Sequence, residues 1–246
     1  MRTFLSTLVW AYWTIVFHFC LVLVTILFVI TYPFDRYRKI PNRVLKLLAW
    51  LVIKPIPTWC VEIRGADYGK IHQPTIVVAN HQSFLDIPLL YLLPWRMKWV
   101  TKKNLLRIPV LGWLTAMTGH IPIDRKSMQS FRAMDALVQP IQAGIPGMIF
   151  PEGTRTTDGS MRGFKKGAFV LAKKYNFQVL PVVLQGGYEA MPSGSWKFNF
   201  NKTFTVSVLK PLDPSEFEDS NKLKDFAQQQ IKDELKSMQK ENDIKQ

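Results

Sequence analysis

Two residues that could move a proton stand just after an apolar, β-branched run of the sequence. Residues 75–79 read as a buried strand, and His81 and Asp86 lie beyond its carboxyl end. An imidazole can take up a proton near neutral pH, and a carboxylate can fix its tautomer and stabilise its charged form. Five residues correspond to about 500° of α-helix, so the pair can meet only across a turn or at a helix start, where Ser83 could cap. The alternative is that both are ordinary loop residues with satisfied hydrogen bonds.

Charged and polar residues also follow three other apolar segments. Residues 98–101, 119–125 and 147–150 read as strands. In open α/β sheets the chemistry lies beyond the carboxyl ends of the strands, so parallel strands would gather these residues and His81 in one cleft. The residues concerned are Lys102, Lys103, Arg125, Glu152, Gly153, Thr154 and Arg155.

Strand-like and helix-like segments alternate through the rest of the chain. This alternation predicts an α/β fold with a mainly parallel central sheet flanked by helices. We assign this domain to residues 58–246, including an amphipathic helix near the C-terminus, and expect residues 60–64 to form an edge strand. The other predicted elements are strands at 178–184 and 204–209 and helices at 127–142, 165–174 and 221–240.

Residues 1–57 contain two apolar segments, and we predict that they anchor the chain to a membrane. Between Thr3 and Phe34 there is no Asp, Glu, Lys or Arg. A helix over residues 4–30 would be about 40 Å long, enough to cross a hydrocarbon core of ~30 Å with tilt. Pro33 should end that helix.

A second apolar segment, residues 44–53, is too short to span a bilayer. We expect Asn42 to cap it and Pro55 to end it, so that it lies in the interface or forms a hairpin with the first helix. Basic residues cluster at 36–46, and the positive-inside rule therefore puts the rest of the chain on the cytoplasmic face of the inner membrane. The first helix could cross the membrane or enter one leaflet.

The chain is strongly basic, with 32 Lys and Arg against 18 Asp and Glu and a formal charge of +14. Such a charge implies an anionic partner, which could be nucleic acid, a membrane surface or a phosphorylated substrate. The 8 Trp and 16 Phe residues favour lipid, and no recognised nucleic-acid-binding motif is present. The 2 Cys and 4 His residues show no spacing typical of a metal site, so we expect no metal.

Four short stretches resemble the motifs of the glycerolipid acyltransferase family. Residues 80–86 resemble its first motif, His-x4-Asp, and residues 119–125 resemble its second. Residues 150–155, Phe-Pro-Glu-Gly-Thr-Arg, resemble its third motif, and the proline-centred residues 179–183 resemble its fourth. The order and rough spacing also fit, over about residues 59–209. The sequence resembles above all the bacterial 1-acyl-sn-glycerol-3-phosphate acyltransferases of this family.

The resemblance implies transfer of a fatty acyl group from acyl-CoA or acyl carrier protein to the sn-2 hydroxyl of 1-acyl-sn-glycerol-3-phosphate (lysophosphatidate), giving phosphatidate. His81 would act as general base on the acceptor hydroxyl, and Asp86 would orient it. The hydroxyl would attack the thioester directly, without a covalent acyl-enzyme, and the sequence has no Gly-x-Ser-x-Gly elbow. No bound cofactor is implied. The departures from the family pattern are Thr156, where Ser is frequent, and the pair Gly186 and Gly187, where a single Gly is more common.

The resemblance also suggests that the cations of the second and third motifs bind phosphate. Arg125 and Arg155 are suited to this because a guanidinium can grip a phosphate with two hydrogen bonds. Each could instead form a surface ion pair. Glu152 could position Arg155 or bind an acceptor hydroxyl, and its simpler role would be helix capping.

The remaining candidates would complete the substrate site. Gly153 would allow the backbone to approach the substrate, or it could simply form a turn. Backbone amides near Gly153 and Thr154 could stabilise the tetrahedral oxyanion. Four lysines could contact lipid headgroups or the phosphates of the acyl carrier, or be solvated: Lys102, Lys103, Lys165 and Lys166.

Other functions are compatible with the same features. The acceptor could be another lysophospholipid or a lyso-aminolipid, with the same chemistry. A non-enzymatic membrane adaptor that binds anionic lipid through its basic face is a different class of function. A membrane-tethered nucleic-acid binder is also permitted by the charge alone.

Overall fold

The structure is a computed structural model that describes residues 1–124 and 133–244. The predicted site residue Arg125 and the first part of the helix predicted at 127–142 lie outside the described residues. The described strands, in chain order, are β1 (Trp59–Arg64), β2 (Thr75–Ala79), β3 (Lys98–Lys102), β4 (Ile121–Ile123), β5 (Gly147–Ile149), β6 (Gln178–Gln185) and β7 (Lys202–Val208).

Within the described ranges these strands form one seven-stranded sheet in the order β1-β7-β6-β2-β5-β3-β4. Neighbouring strands are parallel except β6 and β7, which are antiparallel. The predicted mainly parallel sheet is therefore confirmed, with β2 at its centre and β1 at an edge. The strand predicted at 119–125 is shorter, because only Ile121–Ile123 pairs with β3.

Helices cover both faces of the sheet. In the described ranges they are α1 (Arg2–Thr31), α2 (Lys39–Ile53), α3 (Asp86–Tyr91), α4 (Leu111–Met117), α5 (Val138–Gln142), α6 (Gly167–Tyr175), α7 (Gly187–Ala190) and α8 (Ser220–Ile244). Helices α1 to α4 contribute to the core on one face, and α5, α6 and α8 contribute to the core on the other. The side chains of β2 alternate between these cores, because successive residues of a strand face opposite ways. Val77 faces the first core and Val78 the second.

The start of one helix differs from the prediction. Helix α2 begins at Lys39, and Asn42 lies buried inside it rather than capping it. The Asp35 carboxylate caps it instead, because it accepts hydrogen bonds from the backbone N–H groups of Lys39 (2.9 Å) and Ile40 (2.7 Å). The described part of the helix predicted at 127–142 is α-helical at residues 133–134, then forms a 3₁₀ turn, Asp135–Leu137, and continues as α5.

Helix α1 is long and apolar enough to be a candidate membrane span, yet it contacts the rest of the chain near both ends. Arg2 Nε, at its start, donates a hydrogen bond to the Phe198 carbonyl (3.0 Å). Trp13 is 1% exposed and belongs to the first core. Thr25 Oγ1, in its last third, lies 3.6 Å from the Met117 sulfur at the end of α4. The opposite side of α1 exposes large apolar side chains, including Phe4, Ile15, Phe19 and Val29.

Candidate active site

His81 and Asp86 meet across the turn between β2 and α3. His81 Nδ1 lies 2.8 Å from Asp86 Oδ2, and the Asp86 side chain is fully buried. The same oxygen accepts the backbone N–H groups of Gln82 (2.6 Å) and Ser83 (2.8 Å). A carboxylate can only accept, so Nδ1 carries the hydrogen and the lone pair of a neutral imidazole is on Nε2. Ser83 does not cap α3 as expected, because its hydroxyl donates to the Met191 carbonyl (2.9 Å).

The backbone and ring of His81 are also fixed by the loop that follows β5. The His81 N–H donates to Glu152 Oε1 (2.7 Å), and the His81 carbonyl accepts from the Thr156 N–H (3.0 Å). The Phe150 ring stacks on the imidazole at 3.8 Å between centroids and 7° between planes. The side chain of His81 is 13% exposed. The first and third motifs therefore form one unit, in which one loop holds the position and orientation of the imidazole.

Glu152 is the link between these loops. Glu152 is 4% exposed, and its Oε2 accepts a hydrogen bond from the Arg162 backbone N–H (2.8 Å). Burial raises the pKa of this carboxyl to about 7, although the backbone N–H groups of Arg162 and His81 oppose the shift. These contacts give Glu152 a role that was not predicted from the sequence: it joins the two loops, since each of its oxygens accepts a backbone hydrogen bond.

Close packing against a glycine completes the environment of Asp86. Its Oδ1 has no hydrogen-bond partner among the described residues. A methyl group on Gly187 would lie 2.8 Å from this oxygen and 3.1 Å from Ser83 Cβ. The preceding Gly186 has φ +89°, which glycine adopts readily. The glycine pair that departs from the family pattern thus lets β6 and α7 pack directly against the buried carboxylate.

An apolar cavity of about 380 Å³ opens beside His81. Side chains from α1 to α4 line it, including Phe17, Leu48, Ile87 and Leu114. Its volume falls within the ~300–1,000 Å³ of typical small-molecule sites. It is therefore suited to an alkyl chain.

The cavity also has a polar patch in its wall, formed by Tyr91, Trp99 and His120. The backbone N–H of Trp99 donates to His120 Nδ1 (3.3 Å), so His120 Nε2 carries the hydrogen and faces the Tyr91 hydroxyl at 3.1 Å. Burial and the charge of Lys98 lower the pKa of His120 well below its usual value. This patch is neutral near pH 7, which suits a cavity that is otherwise apolar.

The remaining predicted site residues surround the cavity to different degrees. Lys102, Thr154 and Arg155 are solvent-exposed residues of its lining. Lys103 is exposed in the 3₁₀ turn Lys103–Arg107. Gly153 follows β5 with φ +76°. Sequence reasoning missed Phe150 as a stacking partner and Gly187 as a packing partner, although Phe150 opens the third motif.

The family of this chain follows from comparison with known proteins. A family model described as Acyltransferase matches residues 60–185, just over half of the chain. The chain belongs to the acyltransferase family. This confirms the resemblance drawn from the four motifs, and the matched region contains both His81 and Asp86.

Named relatives share this part of the chain. A 1-acyl-sn-glycerol-3-phosphate acyltransferase of Chlamydomonas reinhardtii is 35% identical over 204 residues, covering 82% of this chain and 60% of the relative. The chloroplastic enzyme BAT2 of Brassica napus is 36% identical, covering 73% of the chain and 52% of the relative. The human alpha form is 34% identical, covering 72% and 63%. The chain thus spans about half to two thirds of the length of these relatives.

The fold matches a solved structure over nearly its whole length. The crystal structure of the 1-acyl-sn-glycerophosphate (LPA) acyltransferase PlsC from Thermotoga maritima gives a TM-score of 0.82 at 24% identity. The match covers 97% of this chain and 98% of that one. The architecture is therefore shared, including the helices that precede the sheet.

The contact at Gly187 gives a first prediction. Gly187→Ala should lower the free energy of unfolding by about 1–3 kcal/mol, because the new methyl group overpacks the buried Asp86 carboxylate. Gly163→Ala is the matched control, since nothing lies within 4 Å of a methyl group at Gly163. Thermal unfolding in detergent measures both. Equal midpoints for the two variants would contradict the close packing.

The raised pKa of Glu152 gives a second prediction. The pKa of Glu152 is about 7 in the folded state, against an ordinary 4.5. The stability that the protonated carboxyl gives to the folded state is therefore complete below pH 4.5 and is lost as the pH rises through 7. The stability difference between wild type and Glu152→Gln should therefore be about 2 kcal/mol more favourable to wild type at pH 5 than at pH 8. Denaturant titration at both pH values measures it. A stability difference that does not change with pH would contradict the raised pKa of Glu152.

Proposed function

We propose that this protein transfers a fatty acyl group from acyl-CoA or acyl carrier protein to the sn-2 hydroxyl of 1-acyl-sn-glycerol-3-phosphate, giving phosphatidate. The observation that carries the proposal is the hydrogen bond between His81 and the buried Asp86 beside an apolar cavity. The names of the relatives support the same acceptor. The exposed Arg155 and Lys102 of the cavity lining are suited to its phosphate.

The reaction needs one base and no covalent acyl-enzyme. His81 Nε2 takes the proton of the acceptor hydroxyl while the hydroxyl oxygen attacks the thioester carbonyl. The tetrahedral intermediate then expels the thiolate, which takes the proton back from His81. Asp86 stabilises the imidazolium between these steps, as a carboxylate does in a catalytic triad. Backbone amides near Gly153 and Thr154 are our candidates for the oxyanion.

The apolar cavity supplies the place for an acyl chain. Burying each methylene contributes about 0.8 kcal/mol, so a long chain in this cavity gives binding energy that does not depend on the headgroup. Arg125, in the second motif, is assigned to the phosphate by the resemblance alone. The proposal needs no bound cofactor, because the acyl group arrives on its own carrier.

We also propose that α1 and α2 enter one leaflet of the cytoplasmic membrane from the cytoplasmic face. Both the start and the last third of α1 contact the α/β domain. A helix that crossed the bilayer would carry these two regions to opposite sides. Its exposed apolar side, with Phe19 and Val29, is suited instead to lipid tails next to the catalytic domain.

The first test of the activity is acyl transfer from labelled acyl-CoA to lysophosphatidate. His81→Ala should reduce turnover by roughly 10²–10⁴-fold, the usual contribution of a general base. His72→Ala, at an exposed histidine, should leave turnover unchanged. Thermal unfolding checks that both variants are folded. A folded His81→Ala protein with wild-type turnover would overturn the mechanism, and an inactive wild type would lead to other lysophospholipid or lyso-aminolipid acceptors.

The membrane arrangement is tested by labelling from one side. Cys20 and Cys60 are first replaced by Ala, and then Thr3→Cys or Tyr32→Cys is introduced in protein bound to the outside of sealed vesicles. A membrane-impermeant maleimide should label both variants to similar extents, as it labels Lys236→Cys on the exposed side of α8. Labelling of only one end of α1 would show that the helix crosses the bilayer.

A further inference from the structure

A second cavity, of about 250 Å³, also lies near the carboxyl ends of the strands, on the opposite face of the sheet from the first cavity. Val100 and Phe150 line both this cavity and the apolar one beside His81. Since the Phe150 ring stacks on the His81 imidazole at 3.8 Å, the second cavity borders the side chain that packs against the reacting base. The proposed reaction needs room near this one base for both an acceptor and a donor.

A backbone hydrogen bond holds Lys165 at the rim of the second cavity, and its exposed side chain lies over Gly153. Its N–H donates to the Pro151 carbonyl (2.9 Å), which fixes it beside the turn after β5. Its ammonium lies over Gly153, where a methyl group would be 3.1 Å from Lys165 Nζ. The neighbouring Arg162 N–H is held by Glu152, so the same segment is tied to the loop that fixes His81.

Lys166 follows Lys165 and lines the same cavity. Among the residues that the structure describes, no carboxylate pairs with either ammonium group within 4.0 Å. Two uncompensated positive charges beside a cavity raise the local concentration of anions. The rest of the lining is mostly apolar, including Ile149 and Ala168. The cavity is therefore suited to a flexible, weakly polar chain that ends in a phosphate.

The face on which this cavity lies indicates which substrate uses it. The apolar helices α1 and α2 belong to the core on the first face, whereas Ala168 and Ile149 belong to the core on the second. The second cavity is therefore on the side away from the proposed membrane helices. Its rim residues Lys165 and Lys166 are exposed, so a soluble substrate can reach it from water. Acyl-CoA and acyl carrier protein both carry the acyl thioester on a pantetheine arm joined through a phosphate ester.

We propose that Lys165 and Lys166 bind the phosphate of the donor's pantetheine arm, which reaches His81 through the second cavity. The acyl chain then lies in the cavity on the first face. This assignment rests on the proposed function and adds a separate binding site for the donor. Lysophosphatidate also carries a phosphate group that these lysines could bind. The experiment must therefore distinguish the phosphate of the donor from that of the acceptor.

The experiment compares a Lys165→Ala, Lys166→Ala double variant with a control double variant, Lys236→Ala, Lys240→Ala, on the exposed side of α8. Steady-state kinetics use palmitoyl-phosphopantetheine and palmitoyl-pantetheine, which lacks the phosphate, as donors. The KM for the phosphorylated donor should rise about tenfold in the first variant only. The KM for palmitoyl-pantetheine and for lysophosphatidate should not change. Lys165→Arg, Lys166→Arg should restore the wild-type KM.

Binding of phosphopantetheine and of coenzyme A by calorimetry gives a readout that does not depend on turnover. Both should bind the wild type about tenfold more tightly than the alanine variant. A wild type that shows this difference but transfers no acyl group would refute the proposed function and support the donor site. A rise only in the KM for lysophosphatidate would assign the lysines to the acceptor and overturn the inference. Unchanged KM and binding would overturn it as well.

Discussion

The buried carboxylate of Asp86 sets the geometry on which the rest of the site depends. A charged group without solvent must receive hydrogen bonds, because its desolvation costs several kcal/mol. One oxygen receives three, from the His81 ring and the N–H groups of Gln82 and Ser83. The chain must therefore turn sharply as β2 ends. That turn fixes the imidazole with Nε2 as its only free lone pair, and Gly187 closes the other side of the carboxylate.

The parallel sheet turns this local feature into a complete site. Because β5 is the neighbour of β2, the loop after β5 lies beside His81. Glu152 accepts the His81 N–H, so residues 71 positions apart in sequence are joined by a direct hydrogen bond. The raised pKa of Glu152 has its origin in the same arrangement, since a carboxyl that bridges two loops at a sheet edge is shielded from water. The stability of the folded chain and the position of His81 thus both depend on the Glu152 side chain.

Features that depend on local spacing could be predicted from the sequence. The apolar run 75–79 followed by His81 and Asp86 predicted both the strand and the meeting at a helix start, and the order of segments predicted the parallel sheet. The stacking of Phe150 and the packing of Gly187 depend on β5 and β6 flanking β2, which the order of strands along the chain does not state. Asn42 was a wrong choice of cap because α2 begins earlier than predicted, at Lys39, where the Asp35 carboxylate caps it. Arg125 lies outside the described residues and stays a prediction.

The proposed reaction gives a physical reason for placing the base at the edge of the sheet rather than inside either core. A thioester donor joins a water-soluble arm to an insoluble chain, and the acceptor is itself a lipid. Drawing an acyl chain through water costs about 0.8 kcal/mol for each methylene exposed, so the chain must pass directly from one apolar environment to another. The cavity beside α1 and α2 can provide that continuity, while the opposite face of the same edge remains accessible to a charged carrier. A histidine between these two environments can meet a hydroxyl from the lipid side and a carbonyl from the aqueous side.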